Sequence, residues 1–294
     1  MSHRHHHITA PEDRIPLREK IGFTLGGIGL GGTNHIVFGL LMPIFNMTLG
    51  VSPALISTAG FIQSMLTSWI DPFLGQFSDN FRSRWGRRRL LMLIFAVPLA
   101  LADIGLFWFP RGASENFLFY WLVTILPLIT LLVTSYGVSF GALSIEATTD
   151  YHERVRLGVF TGLAGGIFGI GYQWLFPLIQ QPFYGTVIDR LRIVTTGIGV
   201  LCLFMLLAPL FLCPEKRYEK QTKTQARTPL LRNLPEVARN KPFLIVASIK
   251  FFTFFCYTTV GVLGTYMNTY FIYGGDLRKA SITYGILGTS YVVA

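Results

Sequence analysis

Residues 82–109 read RSRWGRRRLLMLIFAVPLALADIGLFWF. Five arginines precede an apolar run from Leu90 to Phe109 in which Asp103 is the only charge. As a helix that run is long enough to cross a hydrocarbon core of about 30 Å. The arginines then mark the end held on the cytoplasmic side, with Trp85 at the interface, where cations also suit a helix C-terminus.

The same alternation of apolar run and charged connector extends in both directions. Complete spans are expected at Ile21 to Leu49, Ala54 to Asp79, Leu90 to Phe109, Phe117 to Ile145, Leu157 to Ile179, Ile193 to Cys213 and Phe243 to Tyr273. An eighth run opens at Ile282 and reaches Ala294 after 13 residues, a rise of only about 20 Å. The expectation is therefore an all-α polytopic membrane protein, read as the amino-terminal part of a longer one. Residues 1–20 form a tail, 21–213 a six-helix bundle, 214–242 a charged linker, and 243–294 the first helices of a second bundle. In the linker, Leu230, Leu231, Leu234, Val237 and Ala238 recur at helical spacing behind Thr228 and Pro229, the pattern of an amphipathic surface helix.

Composition agrees with this class. Of 294 residues, 51% are hydrophobic and 14% charged, against about 25% charged in an ordinary soluble domain. The net charge of +10 lies in clusters between apolar runs, which excludes a phosphate-reading surface and hence a nucleic-acid partner. The partner implied is the lipid bilayer. Nineteen basic residues fall in the tail and in the connectors on its side, and five in the opposite connectors. The positive-inside rule then places the N-terminus in the cytoplasm. The leader has no apolar stretch of a secretory signal. Its His3, His5, His6 and His7 read as a polar tail, not a metal site, and Cys202, Cys213 and Cys256 have no disulfide or zinc spacing.

Two soluble-enzyme patterns lose their meaning in this setting. Gly27, Gly29 and Gly32 spell GxGxxG inside the first span, with no preceding strand. Gly137, Ser139 and Gly141 spell GxSxG inside the fourth, with no strand-to-helix elbow. Neither an enzyme nor a bound cofactor is expected. Close packing explains the glycines better: Gly22 with Gly26, Gly27 with Gly31, the set Gly158, Gly162 and Gly166, and Gly165 with Gly169 are small residues one turn apart.

Ionisable groups at membrane depth are costly and are candidates for function. Asp71 lies about eight residues, roughly 12 Å, from the cytoplasmic end of the second span, too deep for a short side chain to reach water. It must face an aqueous cavity, pair with a cation, or carry a proton. Asn34 and His35, beside Thr33, give the first span a polar belt near its middle, the depth at which transporters bind substrate. Gln63, Thr67, Thr134, Tyr136, Gln173, Trp174 and Tyr257 add hydrogen-bonding or stacking groups. Lys250 lies about two turns inside the seventh span, where it can snorkel to water or face a substrate. Asp103 lies toward the outer end of the third span.

On the cytoplasmic side, Gly75 and Asp79 stand one turn apart ahead of Arg82, Arg84, Gly86 and Arg87. A second charged cluster, Glu146, Asp150, Glu153, Arg154 and Arg156, occupies the next connector. The two are expected to exchange charge pairs and act as a breakable gate.

These residues carry a resemblance. Asp71-Pro72, Gly75, Asp79, the run from Arg82 to Arg87, then Ala142-Leu143, Glu146, Asp150-Tyr151 and Glu153-Arg154 resemble the glycoside-pentoside-hexuronide:cation symporters, the melibiose permease branch of the major facilitator superfamily. Asn240 to Phe243 and Tyr270 to Asp276 are similar as well. The resemblance implies two six-helix bundles, a midplane cavity and cation-coupled symport of a sugar, glycoside or similar small polar solute by a protein that is monomeric at full length. It makes Asp71 a cation-site carboxylate and Thr134 a cation-site hydroxyl. Thr67 and Ile70 replace the family's second carboxylate and its asparagine, which favours co-transported H+ over Na+. Gly31, Gly137 and Gly141 stand where the galactoside-holding acids and tryptophan fall, so the substrate stays open. A seven-helix receptor or membrane enzyme complete at Ala294 is the competing architecture.

Overall fold

The computed structural model describes residues 14–80, 87–148, 150–213 and 239–293. The described residues are helical throughout, without strands. The helices are α1 (Leu17–Asn34), α2 (Pro53–Asn80), α3 (Arg87–Leu106), α4 (Glu115–Glu146), α5 (Tyr151–Gln173), α6 (Leu175–Gln180), α7 (Val187–Leu212), α8 (Lys241–Tyr266) and α9 (Leu277–Val293). Short π-helical segments extend α1 at His35–Gly39 and Met42–Thr48, and α8 at Met267–Ile272. Among the described residues six helices are long and apolar enough to cross a membrane. The sequence reading counts a seventh complete span at α2, which is absent from those six because Gln63, Ser64, Thr67, Ser68 and Asp71 dilute its apolar character. The amphipathic stretch expected around Leu230 lies outside the described residues.

Local chemistry accounts for the breaks. Pro177 has no N–H to give the carbonyl of Gln173 and its ring crowds that turn, so the fifth span divides at Trp174 into α5 and α6. Pro43 likewise removes a rung from the first span, and the chain there widens into π turns. Other ends carry side-chain caps: Ser114 accepts from Phe117 N, Asp150 from His152 N and Glu153 N, and Thr186 forms a reciprocal capping box with Asp189. The eighth run begins earlier than expected, because Asp276 accepts from the backbone N–H of Arg278 and Lys279 and starts α9. Those bonds to the Lys279 and Arg278 amides, with the Lys279 ammonium beside them, hold the Asp276 carboxyl below its ordinary range.

The core of the bundle is the contact of α1 with α7. A methyl group placed on Gly26 would lie 2.5 Å from the Pro209 ring and 2.7 Å from Phe140, and one on Gly29 would lie 3.0 Å from the backbone nitrogen of Leu206. Gly22 faces Leu212 and Cys213, and Gly32 faces Tyr172 and Cys202. The close row is thus Gly22, Gly26, Gly29 and Gly32. The expected Gly22–Gly26 pair lies in this row, and Gly166 and Gly169 meet Val292 of α9, whereas the other expected close faces do not. Gly27 and Gly31 meet nothing within 4 Å, nor do Gly158, Gly162 and Gly165, because those faces of α1 and α5 turn away from neighbouring described helices. Around this contact α3 runs along α7, α4 along α3 and α2 along α4.

Beyond the six-helix unit, α9 packs on α5 and α6, whereas α8 is exposed along 241–264 where its side chains are described. The α8 extension returns to the first helix at the far end: Tyr266 Oη donates to Asn46 Oδ1 at 2.7 Å, and Thr269 contacts Met47 Sδ at 3.8 Å.

The two faces of α1 give opposite predictions for one substitution. Gly26→Ala should destabilise the bundle by about 1–3 kcal/mol through overpacking. Gly27→Ala should be neutral or stabilise by about 0.5–1 kcal/mol through helix propensity. Thermal unfolding of both variants in the same detergent checks the pair.

Candidate functional site

The polar residues of α2 repeat every four positions. Gln63, Thr67 and Asp71 therefore share one face, and α4, running in the same direction, sets Thr130 and Thr134 at the same spacing. Gln63 Nε2 donates to Thr130 Oγ1 at 3.0 Å, which fixes the register. Thr67 stands one turn past Gln63, as Thr134 stands one turn past Thr130.

Gln63 and Thr67 are buried, at 7% and 6% exposure. The Thr67 hydroxyl donates to the Gln63 carbonyl at 2.9 Å, so its remaining lone pair is an acceptor inside the seam. Asp71 ends the row. It is half-buried, and its Oδ1 is buried with no hydrogen-bond partner among the described residues. An orphaned carboxylate oxygen beside threonine hydroxyls is the donor chemistry that a proton or a hard cation satisfies. Among the described residues no cluster of three or more His, Cys, Asp or Glu side chains forms a metal centre. Thr130 was missed in the sequence reading, although its place one turn before Thr134 was a usable signal.

The other candidates divide by location. Asn34 Nδ2 donates to Leu30 O on its own helix at 3.0 Å. His35 stacks on Tyr172 of α5 with ring centroids 5.8 Å apart, and Tyr172 Oη donates to Ile28 O at 3.1 Å. His35 is thus part of an α1–α5 contact as well as of the polar belt. Tyr136 of α4 packs against α7. It is fully buried, its hydroxyl donates to Leu206 O at 2.7 Å, and its ring stacks on Phe140.

Gln173 and Trp174 lie where α5 and α6 meet α9. Gln173 lies against Gly288, and Trp174 Nε1 donates to Thr289 Oγ1 at 3.1 Å. Lys250 is exposed on α8, apart from the α2–α4 seam. The side chain of Tyr257 lies outside the described residues.

On the face that carries the N-terminus, charge pairs link helix ends. Arg88 of α3 meets Glu146 of α4 at 2.5 Å, and Lys20 of α1 meets Glu153 of α5 at 2.6 Å. Glu153 is 2% exposed and also accepts from Ile15 N and Arg156. Arg154 donates to the carbonyls of Ile145 and Thr148, Arg18 to that of Phe211, and Arg89 to that of Leu210. The expected exchange between the two charged connectors is present as Arg88–Glu146. Asp150 serves as the α5 cap. Arg82, Arg84 and Gly86 lie outside the described residues, as do the side chains at Gly75, Asp79 and Arg87. Lys20 as the partner of Glu153 was not legible in the sequence, since 133 residues separate them.

Residues 22–294 match the family described as MFS/sugar transport protein. The uncharacterized symporter YnaJ of Bacillus subtilis is 25% identical over 94% of this chain and 59% of its own length. The isoprimeverose transporter of Lactiplantibacillus pentosus is 20% identical over 96% of this chain and 58% of its own. The sodium-dependent lysophosphatidylcholine symporter 1 of Mus musculus is 27% identical over 49% of this chain and 28% of its own length. The chain thus spans less than two thirds of the length of each of these curated relatives.

Glu153→Gln should weaken the bundle by about 2 kcal/mol, since a buried charge-assisted bond to Lys20 is lost. Lys20→Met combined with Glu153→Gln should recover part of that loss. Denaturant unfolding of the two single variants and the double variant measures the coupling.

Proposed function

The chain belongs to the MFS/sugar transport protein family, and on that premise we propose that the protein is a cation-coupled symporter, not an enzyme. Its substrate class is a sugar, glycoside or similar small polar solute. It works in the inner membrane with its N-terminus in the cytoplasm, by alternating access between two bundles. The first bundle runs from α1 to α7, and α8 and α9 belong to the second.

The observation that carries this reading is the row Gln63, Thr67, Asp71 against Thr130 and Thr134, ending in a carboxylate oxygen without a partner among the described residues. A seam of oxygens on two parallel helices is suited to a coupling ion. Asp71 is its charged member, and Thr67 and Thr134 are neutral oxygen donors. With a single carboxylate in the row, a proton is the favoured coupling ion. The word "sodium-dependent" in the name of the mouse relative keeps Na+ as the second reading.

Alternating access draws support from the asymmetry of the two ends. At the far end, Tyr266 bonds Asn46, Trp174 bonds Thr289, and Arg278 donates to Gln181 Oε1 at 3.0 Å. At the other end Lys20–Glu153 and Arg88–Glu146 tie helices of the first bundle to one another. In an alternating-access cycle these charge pairs form the gate that rearranges when the bundles tilt. Asn34, His35, Gln173, Trp174, Tyr257 and Lys250 remain the substrate-side candidates.

In the full-length transporter, Asp71→Asn should reduce concentrative uptake at least tenfold while substrate exchange or binding persists. Uptake into proteoliposomes under an imposed pH gradient, then under a sodium gradient, reads both the role of Asp71 and the identity of the ion. Unchanged accumulation would sink the assignment.

A further inference from the structure

A second carboxyl in the bundle has no role in the α2–α4 seam. Asp103 sits one turn before the end of α3 and is 1% exposed, and both its carboxyl oxygens are buried without a hydrogen-bond partner among the described residues. The elements packed on α3 are α2, α4, α7 and the π segment that extends α1. Each can be searched for a charge to pair with it.

From α7, the fully buried Cys202 lies within electrostatic range of Asp103. Arg192 on the same helix is committed elsewhere, because it donates to Phe109 O, covers the Trp108 ring at 5.3 Å and acts on Asp189. From the first helix, His35 is stacked on Tyr172. From α4, Glu115 bonds Ser52 N, Tyr136 bonds Leu206 O, Glu146 pairs with Arg88, and Tyr120 is exposed. Arg190 of α7 donates to Gln181 O, and the charged residues of α2, Asp71 and Asp79, are acids, so none of these groups gives Asp103 a cation.

An ionised carboxylate in such surroundings is far more costly than the neutral acid, which still loses its own unmade hydrogen bonds. A neutral apolar side chain would fill this position at lower cost, so a carboxyl kept here is explained by a proton that it holds and exchanges.

We propose that Asp103 is a proton-binding site in the first bundle, separate from Asp71, which holds its proton while α3 is closed against α1 and α7 and releases it when that seam parts. The geometry that carries this is the juxtaposition of two orphaned oxygens with a fully closed three-helix contact. The inference goes beyond the symport reading and does not depend on it, since binding of a proton can be read without any substrate or transport.

The test is infrared spectroscopy of the protein in lipid vesicles, titrated from neutral to alkaline pH, with wild type beside Asp103→Asn, Asp103→Glu and Asp71→Asn. A protonated-carboxyl stretch is expected in the wild type at neutral pH. It should disappear in Asp103→Asn, shift in Asp103→Glu, persist in Asp71→Asn, and vanish reversibly in the wild type at alkaline pH while the protein stays folded. The glutamate variant keeps the test informative where the asparagine variant fails to fold. A wild-type spectrum without the band, a band that survives Asp103→Asn and does not shift in Asp103→Glu, or one that persists at every pH the fold tolerates would each overturn the proposal.

Discussion

The approach of α1 to α7 is the contact on which the rest of the bundle depends. Gly22, Gly26, Gly29 and Gly32 let the two backbones come within reach of each other's side-chain roots, and at Gly29 the neighbouring atoms include a backbone nitrogen. Helices in lipid gain little from burying apolar surface, because lipid tails are as apolar as leucine. Close van der Waals packing and interhelical hydrogen bonds must supply the cohesion. The glycine row provides the first, and Tyr136 and Tyr172 provide the second by donating to carbonyls on α7 and α1. α4 joins that contact through Phe140 and Tyr136, and on its α2 side Thr130 meets Gln63.

Satisfaction of polar groups separates structural from functional residues. Thr33, Thr58, Ser64, Ser68, Ser135, Ser139 and Thr195 return their hydroxyl protons to carbonyls one turn back on their own helices. Such residues are at home in a membrane helix and need no partner from outside. Asp71 and Asp103 differ because a carboxylate cannot donate and has no local solution. The two acids occupy different contacts, Asp71 at the half-buried end of a row of oxygens and Asp103 in a closed junction. Water or an ion can approach the first without rearrangement, whereas the second requires helices to part.

The charged residues at the helix ends act as ties between elements distant in sequence. Lys20 with Glu153 joins the start of the first helix to the start of the fifth, and Arg88 with Glu146 joins the third to the fourth. Exposed pairs contribute little, but Glu153 is almost fully covered and takes further donors from Ile15 and Arg156, which makes it a junction and not a surface ornament. At the far end the ties cross between the first bundle and the helices that follow it, through Asn46 and Tyr266, and through Trp174 and Thr289.

The sequence by itself determined the class of the protein, the course of its spans and the residues worth inspecting, because insertion into hydrocarbon is a local matter of apolar length and flanking charge. The family resemblance was legible in the charged connectors for the same reason: its motifs are contiguous in the chain. The depth of Asp71 followed from counting residues. What only the tertiary structure decided is the rotation of each helix about its axis. Hydropathy is nearly uniform around these helices, so it could not separate Gly26, which meets α7, from Gly27, which meets nothing. Nor could it separate Tyr136, enclosed by α7, from Thr130, which pairs with Gln63. Rotation is set by contacts between side chains far apart in the chain, and a one-residue step turns a helix position by about 100°, enough to move a group from seam to core.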